Sequence, residues 1–210
     1  MNDPGAAPAR PHPATPAGQG DEAGGVRSAV RAVRDGDRNA FRVIVDRYER
    51  RLFGLTLMLV RNPAAAEELA QDALVRAYAN LHAYEDARPF YPWLATIVVR
   101  LSQNWLRQQS RLVAREGAPL DVDPAAPAGD GPLDALVDDE RARRLWREVA
   151  GLSSGQRAAV MLFYRDGLTV SEVAAALGVT SGTVKTLLFR ARRALRESLT
   201  AAGWRGTEDP

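Results

Sequence analysis

Lys185, Thr186, Phe189, Arg190, Arg192, Arg193 and Arg196, with Thr183 just ahead of them, are the residues whose types and spacing point to a chemistry. They recur at three- and four-residue steps, so a helix lines them along one side and its edges. Guanidinium groups hydrogen-bond guanine edges or hold phosphates, and a basic helix of this size fits the major groove of duplex DNA. A plain solvated face is the competing reading, since basic residues also make those. Catalysis has no comparable support. The chain has no cysteine, its histidines are His12 and His82, and no glycine loop follows an expected strand. That inventory also leaves no ligand set for zinc or an iron–sulfur cluster, so neither an enzyme nor a cofactor is expected.

The mounting of this helix favours the DNA reading. Thr169 followed by Glu172 is a capping box, in which hydroxyl and carboxylate each satisfy an orphan backbone donor, so a short helix is expected to start near Val170. Gly178 ends it, because glycine tolerates the left-handed conformation just past a helix end. Val179 and Thr180 lead into the basic helix, capped by Thr180 or Ser181. Val173, Ala174, Leu177, Val179, Val184 and Leu188 supply the packing between the two helices, with small Ala174 where they approach most closely. The product is a helix-turn-helix. Upstream, Leu133, Leu136, Val137, Leu145 and Val149 open the domain that carries it. A second capping box at Ser153 to Gln156 starts a helix with Val160, Met161 and Tyr164 that stops at Gly167. The domain runs from 133 to 203, and residues 204–210, with Trp204, form a frayed tail.

The 210 residues are 46% hydrophobic and 26% charged, ordinary for globular domains, and the formal charge is only +2. Nucleic-acid binding must therefore come from where charge sits rather than from its total. The longest apolar run, Leu52 to Val60, is too short to span a bilayer, so no membrane insertion and a cytoplasmic location are expected. Residues 1–25, rich in Pro, Ala and Gly, read as a disordered tail.

From Val26 the pattern becomes helical. Val26, Ala29, Val30 and Val33 form a short stripe that Asp35-Gly36-Asp37 interrupts. Phe41, Ile44, Val45, Tyr48, Leu52, Leu55 and Leu59 then mark a long helix, and Asn62-Pro63 caps the next. That third helix buries Ala66, Leu69, Ala70, Ala73, Leu74, Ala77, Tyr78 and Leu81, and turns Glu67, Glu68, Gln71, Asp72, Arg76 and Asn80 outward. Pro89 opens a fourth helix to about Arg111, in which Phe90, Leu94, Ile97, Val98, Leu101 and Trp105 can pack inward. Trp93, Arg100, Asn104, Arg107 and Arg111 fall near one stripe, with Tyr84, Phe90 and Tyr91 crowded close by. Rings interleaved with arginines suit a single nucleic-acid strand, since every base offers a face to stack on and the backbone needs cations. Such aromatics also serve as core.

The order of these pieces, RYERRLFGLTLMLVRNPAAAEELAQDALVRAYANL, then RPFYPWLATIVVRLSQNWLRQQSR, then a linker and a terminal helix-turn-helix, resembles the bacterial sigma factors of RNA polymerase. The likeness is closest to the compact extracytoplasmic-function (ECF) group, which keeps the second and fourth conserved regions, and it covers nearly all of Val26 to Ala202. The resemblance implies an all-α fold of two small helical domains joined by a flexible linker, the second ending in the helix-turn-helix. It implies that residues 26–111 bind core RNA polymerase through Glu68, Gln71 and Asp72. Tyr84, Phe90, Tyr91, Trp93, Arg100, Asn104 and Arg107 would open the minus-ten element and hold its bases. Thr183, Lys185, Thr186, Phe189, Arg190 and Arg193 would read the minus-thirty-five element of promoter DNA. Where many members carry Asn in the pattern I-A-x-N, this chain has IVVR, and the longer, charged Arg100 suits a phosphate or a narrowed base pocket.

Residues 112–132 read as the linker. Its Asp121, Asp123 and Asp130 are open to two readings, mimicry of nascent RNA in a polymerase channel, by resemblance, or a plain tether. An anti-sigma protein covering the polymerase-binding surfaces is a partner the family allows, although no residue here carries it. The rival function is a stand-alone helix-turn-helix regulator with an N-terminal sensing or dimerisation domain. The aromatic and basic helix from Pro89 to Arg111 separates the two, since strand opening needs it and sensing does not.

Overall fold

The computed structural model describes residues 19–115 and 140–201, and every regular element among them is helical. The first group comprises α1 (Gln19–Arg34), α2 (Arg42–Val60), α3 (Pro63–Ala79) and α4 (Phe90–Arg115), with short 3₁₀ turns at Arg38–Phe41 and Leu81–Ala83. The second comprises α5 (Glu140–Ala150), α6 (Ser154–Val160), α7 (Val170–Leu177) and α8 (Ser181–Ala201). The linker aspartates, Leu133 to Val137, His12 and Trp204 lie outside the described residues.

Local signals set most of the boundaries. Gly36 takes φ 106° where α1 breaks, and Asp37 accepts from the Asn39 amide to start the next turn. Asn62 caps α3 by accepting from Ala65 N at 3.0 Å, with Pro63 in the first turn. Two boundaries differ from the sequence reading. Helix α1 begins at Gln19, inside the stretch read as a tail, and α4 runs to Arg115, beyond its expected end at 111. Both are extensions of helices already nucleated by buried stripes, and adding residues to a formed helix costs far less than starting one.

The core of the first group is Val26, Val30, Phe41, Ile44, Leu52, Leu55, Leu74, Ala77, Leu94 and Val98, all buried. Small Ala66, Ala70 and Ala73 let α3 lie close on α2. Arg34 ties α1 to the α3–α4 connection, donating to Leu81 O at 2.9 Å and to Tyr84 O, and pairing with Asp86 at 2.7 Å.

The two groups meet along a seam in which α4 packs on α7 and α2 on α6. Helix α4 is therefore buried on two sides. Phe90, Leu94 and Leu101 share one side, while Tyr91, Ala95, Val99 and Ser102 share another at helical spacing and are also buried. The second stripe ends in the only tightly bonded carboxylate of the seam among the described residues. Asp166 accepts from Arg51 Nε at 3.2 Å through one oxygen and from the Tyr91 hydroxyl at 2.7 Å through the other. Arg51 also donates to the Asp166 carbonyl at 2.6 Å and lies 3.4 Å from the centre of the Tyr91 ring. Beside this node, a Cβ added at Gly54 would lie 2.4 Å from Arg165 Nη2. A glycine inside a helix costs about 0.5–1 kcal/mol relative to alanine, and here it clears the space for that guanidinium. Arg157, fully buried in α6, donates to Ala150 O and Leu152 O at 2.7 and 2.8 Å and reaches Leu59 O of α2 at 3.5 Å. A single π turn at Met161–Arg165, closed by Asp166 N to Met161 O at 3.0 Å, delivers Arg165 and Asp166 to the seam.

Candidate nucleic-acid interface

Helix α8 owes its position to the short turn before it. Thr169 and Glu172 form the expected reciprocal cap, with Thr169 N donating to the carboxylate at 2.8 Å and Glu172 N to the hydroxyl at 3.2 Å. Gly178 takes φ 68°, closing α7, and Thr180 caps α8 by accepting from Thr183 N at 3.2 Å. Val184, Leu188 and Ala191 are buried against the rest of the second group. Val179 departs from expectation. Rather than packing the helices together it is 39% exposed, because the left-handed residue before it turns the chain outward.

Opposite the buried stripe, Thr183, Lys185, Thr186, Phe189, Arg190, Arg192, Arg193 and Arg196 are all exposed, within about half the helix circumference. Phe189 is 63% exposed, a large ring left to solvent among the described residues. The polar members differ in freedom. Thr186 returns its hydroxyl to Gly182 O at 3.0 Å, and Arg193 is held by Glu197 at 2.8 Å, whose hydrogen bond and charge make its guanidinium still more basic. Lys185 and Arg190 form no ion pair among the described residues. An exposed convex helix with free cations and an apolar ring at its middle can enter a major groove without rearrangement.

On α4 the structure divides the expected set. Arg100, Asn104, Arg107 and Arg111 are exposed along one stripe with half-buried Trp93, and Arg107 donates to Asn104 Oδ1. Tyr84 and Phe90 are buried beneath Trp93, with Phe90 to Trp93 and Tyr84 to Trp93 centroid distances of 5.3 and 5.4 Å. They form the floor that holds this tryptophan rather than surfaces of their own. Tyr91 does not join them. Two residues from Trp93 is about 200° around a helix, and Tyr91 sits at 6% exposure on the seam, bonded to Asp166. Burial, and next the neighbouring Asp166 charge, push its hydroxyl well above the ordinary tyrosine range.

The third face is on α3. Glu68 and Gln71 are exposed, and Asp72, partly exposed, accepts from Arg76 Nε at 3.0 and 3.1 Å. At the angular centre of this acidic group stands Val75, 65% exposed, which the sequence reading passed over. An apolar side chain rimmed by charge is the usual anatomy of a protein-binding patch. Its signal was available in the sequence, since Val75 falls at i+7 from Glu68 and i+3 from Asp72.

Residues 44–112 match Sigma-70 region 2, and residues 142–195 match Sigma-70, region 4. The chain is 31% identical over 183 residues to the ECF RNA polymerase sigma factor SigW of Bacillus subtilis, covering 83% of this chain and 96% of that protein. It is 32% identical over 176 residues to the ECF RNA polymerase sigma factor SigK of Mycolicibacterium vanbaalenii, covering 82% and 88%. Among solved structures it resembles the sigma factor RpoE of Bartonella quintana, determined with the anti-sigma factor NepR, at a TM-score of 0.62 and 27% identity over 76% of this chain and 96% of that one. CnrH, determined with the cytosolic domain of CnrY, shares the fold at a TM-score of 0.60 and 21% identity, over 84% and 98%. The two helical groups, their order and the exposed α8 are thus those of one family, and the chain belongs to the ECF sigma factors of RNA polymerase.

Proposed function

We propose that this promoter-directing sigma factor divides its work among three faces. The acidic patch of Glu68, Gln71 and Asp72, with Val75 at its centre, docks on core polymerase. Trp93, Arg100, Asn104 and Arg107, supported by Tyr84 and Phe90, hold bases and backbone of the opened minus-ten strand. Thr183, Lys185, Thr186, Phe189, Arg190 and Arg193 read the minus-thirty-five duplex. Residues 26–111 and 133–203 are the working domains, 112–132 joins them, and the protein acts in the cytoplasm as a non-enzymatic factor. The observation that carries this reading is the exposed α8 face, with Phe189 and two cations that form no ion pair among the described residues, presented by a doubly capped turn.

Region 2 over residues 44–112 is a sigma-factor module rather than a sensing domain, which weighs against a stand-alone regulator. The RpoE relative was solved with an anti-sigma factor, and a partner of that kind is proposed here for the same surfaces. Each DNA contact is weak alone, and polymerase makes them additive by holding both domains on one duplex. Strand opening uses no ATP in this scheme, because stacking of captured bases offsets part of the unstacking cost. Replacing Glu68 and Asp72 by Lys tests the docking face. Glu68 is exposed and Asp72 partly so, paired only with Arg76 of the same face, so the expected result is loss of co-elution with core polymerase at unchanged helicity, by charge reversal across the interface. Retained co-elution would place the polymerase on another face.

A further inference from the structure

Helix α1 carries none of the three faces, yet its last turn commits a guanidinium to the connection between α3 and α4. Arg34 donates through Nε and Nη2 to Leu81 O at 3.3 and 2.9 Å, through Nη2 also to Tyr84 O, and through Nη1 to Asp86 Oδ1 at 2.7 Å. Its Cζ lies 5.9 Å from the centre of the Tyr84 ring. Any cation near a helix C-terminus gains from the helix dipole. Arg31, one turn earlier and 69% exposed, meets that need with no more than a 3.6 Å approach to Asp86. Arg34 goes further, because its planar fork matches two backbone carbonyls and a carboxylate at once. The connection has little else to hold it. Residues 81–89 bury Leu81 and Tyr84, half-bury Asp86 and expose the rest, and a segment with so few apolar contacts opens locally at small cost unless polar bonds restrain it. What it carries is the Tyr84 ring, packed against Phe90 and Trp93 with centroids 4.9 and 5.4 Å away.

We propose that Arg34 is a positioning residue for strand capture: its fork fixes the backbone at Leu81 and Tyr84, and so sets the ring on which Trp93 rests when it meets an unstacked base. The consequence rests on the reading of Trp93 given above, whereas the brace on the connection stands without it. Arg34 acts from beneath the platform. A binding constellation works only within about 0.5 Å of its productive geometry, so the segment that carries the floor must be held as firmly as the floor itself. The Tyr84 hydroxyl adds to this by donating to Arg88 O at 2.5 Å, which closes the connection on itself. Charge alone does not explain the arrangement. Arg31 and Arg34 lie one turn apart and both approach Asp86, so simple attraction for phosphates would make them equivalent, yet of the two it is Arg34 whose bonds reach the backbone.

Amide hydrogen exchange in the free chain reads the brace itself. Arg34→Ala should speed exchange at Ala83, Tyr84 and Arg88, whose amides are bonded within the connection, by about tenfold or more while the amides of α2 keep their rates. Arg31→Ala should leave all of them at the parent rate. Affinity of the holoenzyme for a single-stranded oligonucleotide carrying the non-template minus-ten sequence reads the consequence. Arg34→Ala should lower it about tenfold, with co-elution with core polymerase and affinity for a minus-thirty-five duplex unchanged. In a Trp93→Ala background the same substitution should add nothing further, since both act through one platform. Asp86→Asn, which leaves the carbonyl bonds in place, should show a smaller loss in the same pattern and serves if Arg34→Ala unfolds the domain. The proposal is overturned if exchange in the connection is unchanged, if Arg31→Ala matches Arg34→Ala, if the losses from Arg34→Ala and Trp93→Ala add, or if Trp93→Ala weakens strand binding and Arg34→Ala does not. Faster exchange with strand affinity indifferent to both substitutions would instead overturn the strand-holding reading of Trp93, and the positioning role with it, leaving the brace as architecture alone.

Discussion

Helices α4 and α8 are both long, amphipathic and basic, yet the structure treats them differently. Helix α8 buries one stripe, Val184, Leu188 and Ala191, and leaves the whole opposite face to solvent. Helix α4 buries two stripes, one in its own domain and one on the seam, so that over residues 90–102 Arg100 alone is exposed and Trp93 is half-buried beside it. Duplex DNA presents its base edges in a groove, so a preformed convex helix suffices to read them. An unstacked strand must be held by rings and cations placed by their neighbours, so α4 depends on the packing beneath it. The same residue types therefore mean different things on the two helices.

Phe90→Ala gives the largest expected effect and can break that contrast. Its ring is buried with Tyr48, Tyr84 and Trp93 at 5.7, 4.9 and 5.3 Å. Truncation should cost about 3–5 kcal/mol of stability in chemical denaturation. A variant of normal stability that merely fails to open promoters would make Phe90 a base-contacting ring after all. Arg190→Ala comes next. On the exposed face it should leave the denaturation midpoint unchanged and reduce discrimination at the minus-thirty-five element by about 1–3 kcal/mol, read as relative affinity of holoenzyme for base-substituted promoters. Unchanged preference would remove Arg190 from base reading.

The smallest effect concerns pH. Burial, the dominant influence, raises the Asp166 carboxyl above its ordinary 3.8, and it outweighs the attraction of Arg51 and Arg165 and the hydrogen bonds from Tyr91 and Arg51. Closing the seam therefore takes up a proton. Its contribution to closure is complete below the ordinary carboxylate value and is lost as pH rises through the raised one. Mild acidification should raise the midpoint of chemical denaturation relative to that of Asp166→Asn, which lacks the titrating carboxyl. A midpoint that falls relative to Asp166→Asn on acidification would show that charge pairing, not burial, governs the node.

What the sequence disclosed was local. The caps at Thr169 and Asn62, the Gly178 turn and the single-stripe amphipathicity of α8 depend on residues within a turn or two of one another, and each is found where its pattern places it. The seam was invisible for the opposite reason. Asp166 meets Arg51 and Tyr91 across 115 and 75 residues, and each alone reads as a surface charge or a ring near other rings. Tyr91 lies close to Trp93 along the chain, whereas the helix turns them to different sides. Gly54 is the one trace of it in the sequence, a glycine inside a strongly apolar helix.

Promoter affinity measured for the chain alone and again with core RNA polymerase, at matched salt, tests the central claim most directly. Two separate reading faces predict weak binding with little sequence preference for the chain alone, and tight, promoter-specific binding once polymerase spans the domains. Tight and selective occupancy by the lone chain, unchanged when polymerase is added, would contradict it.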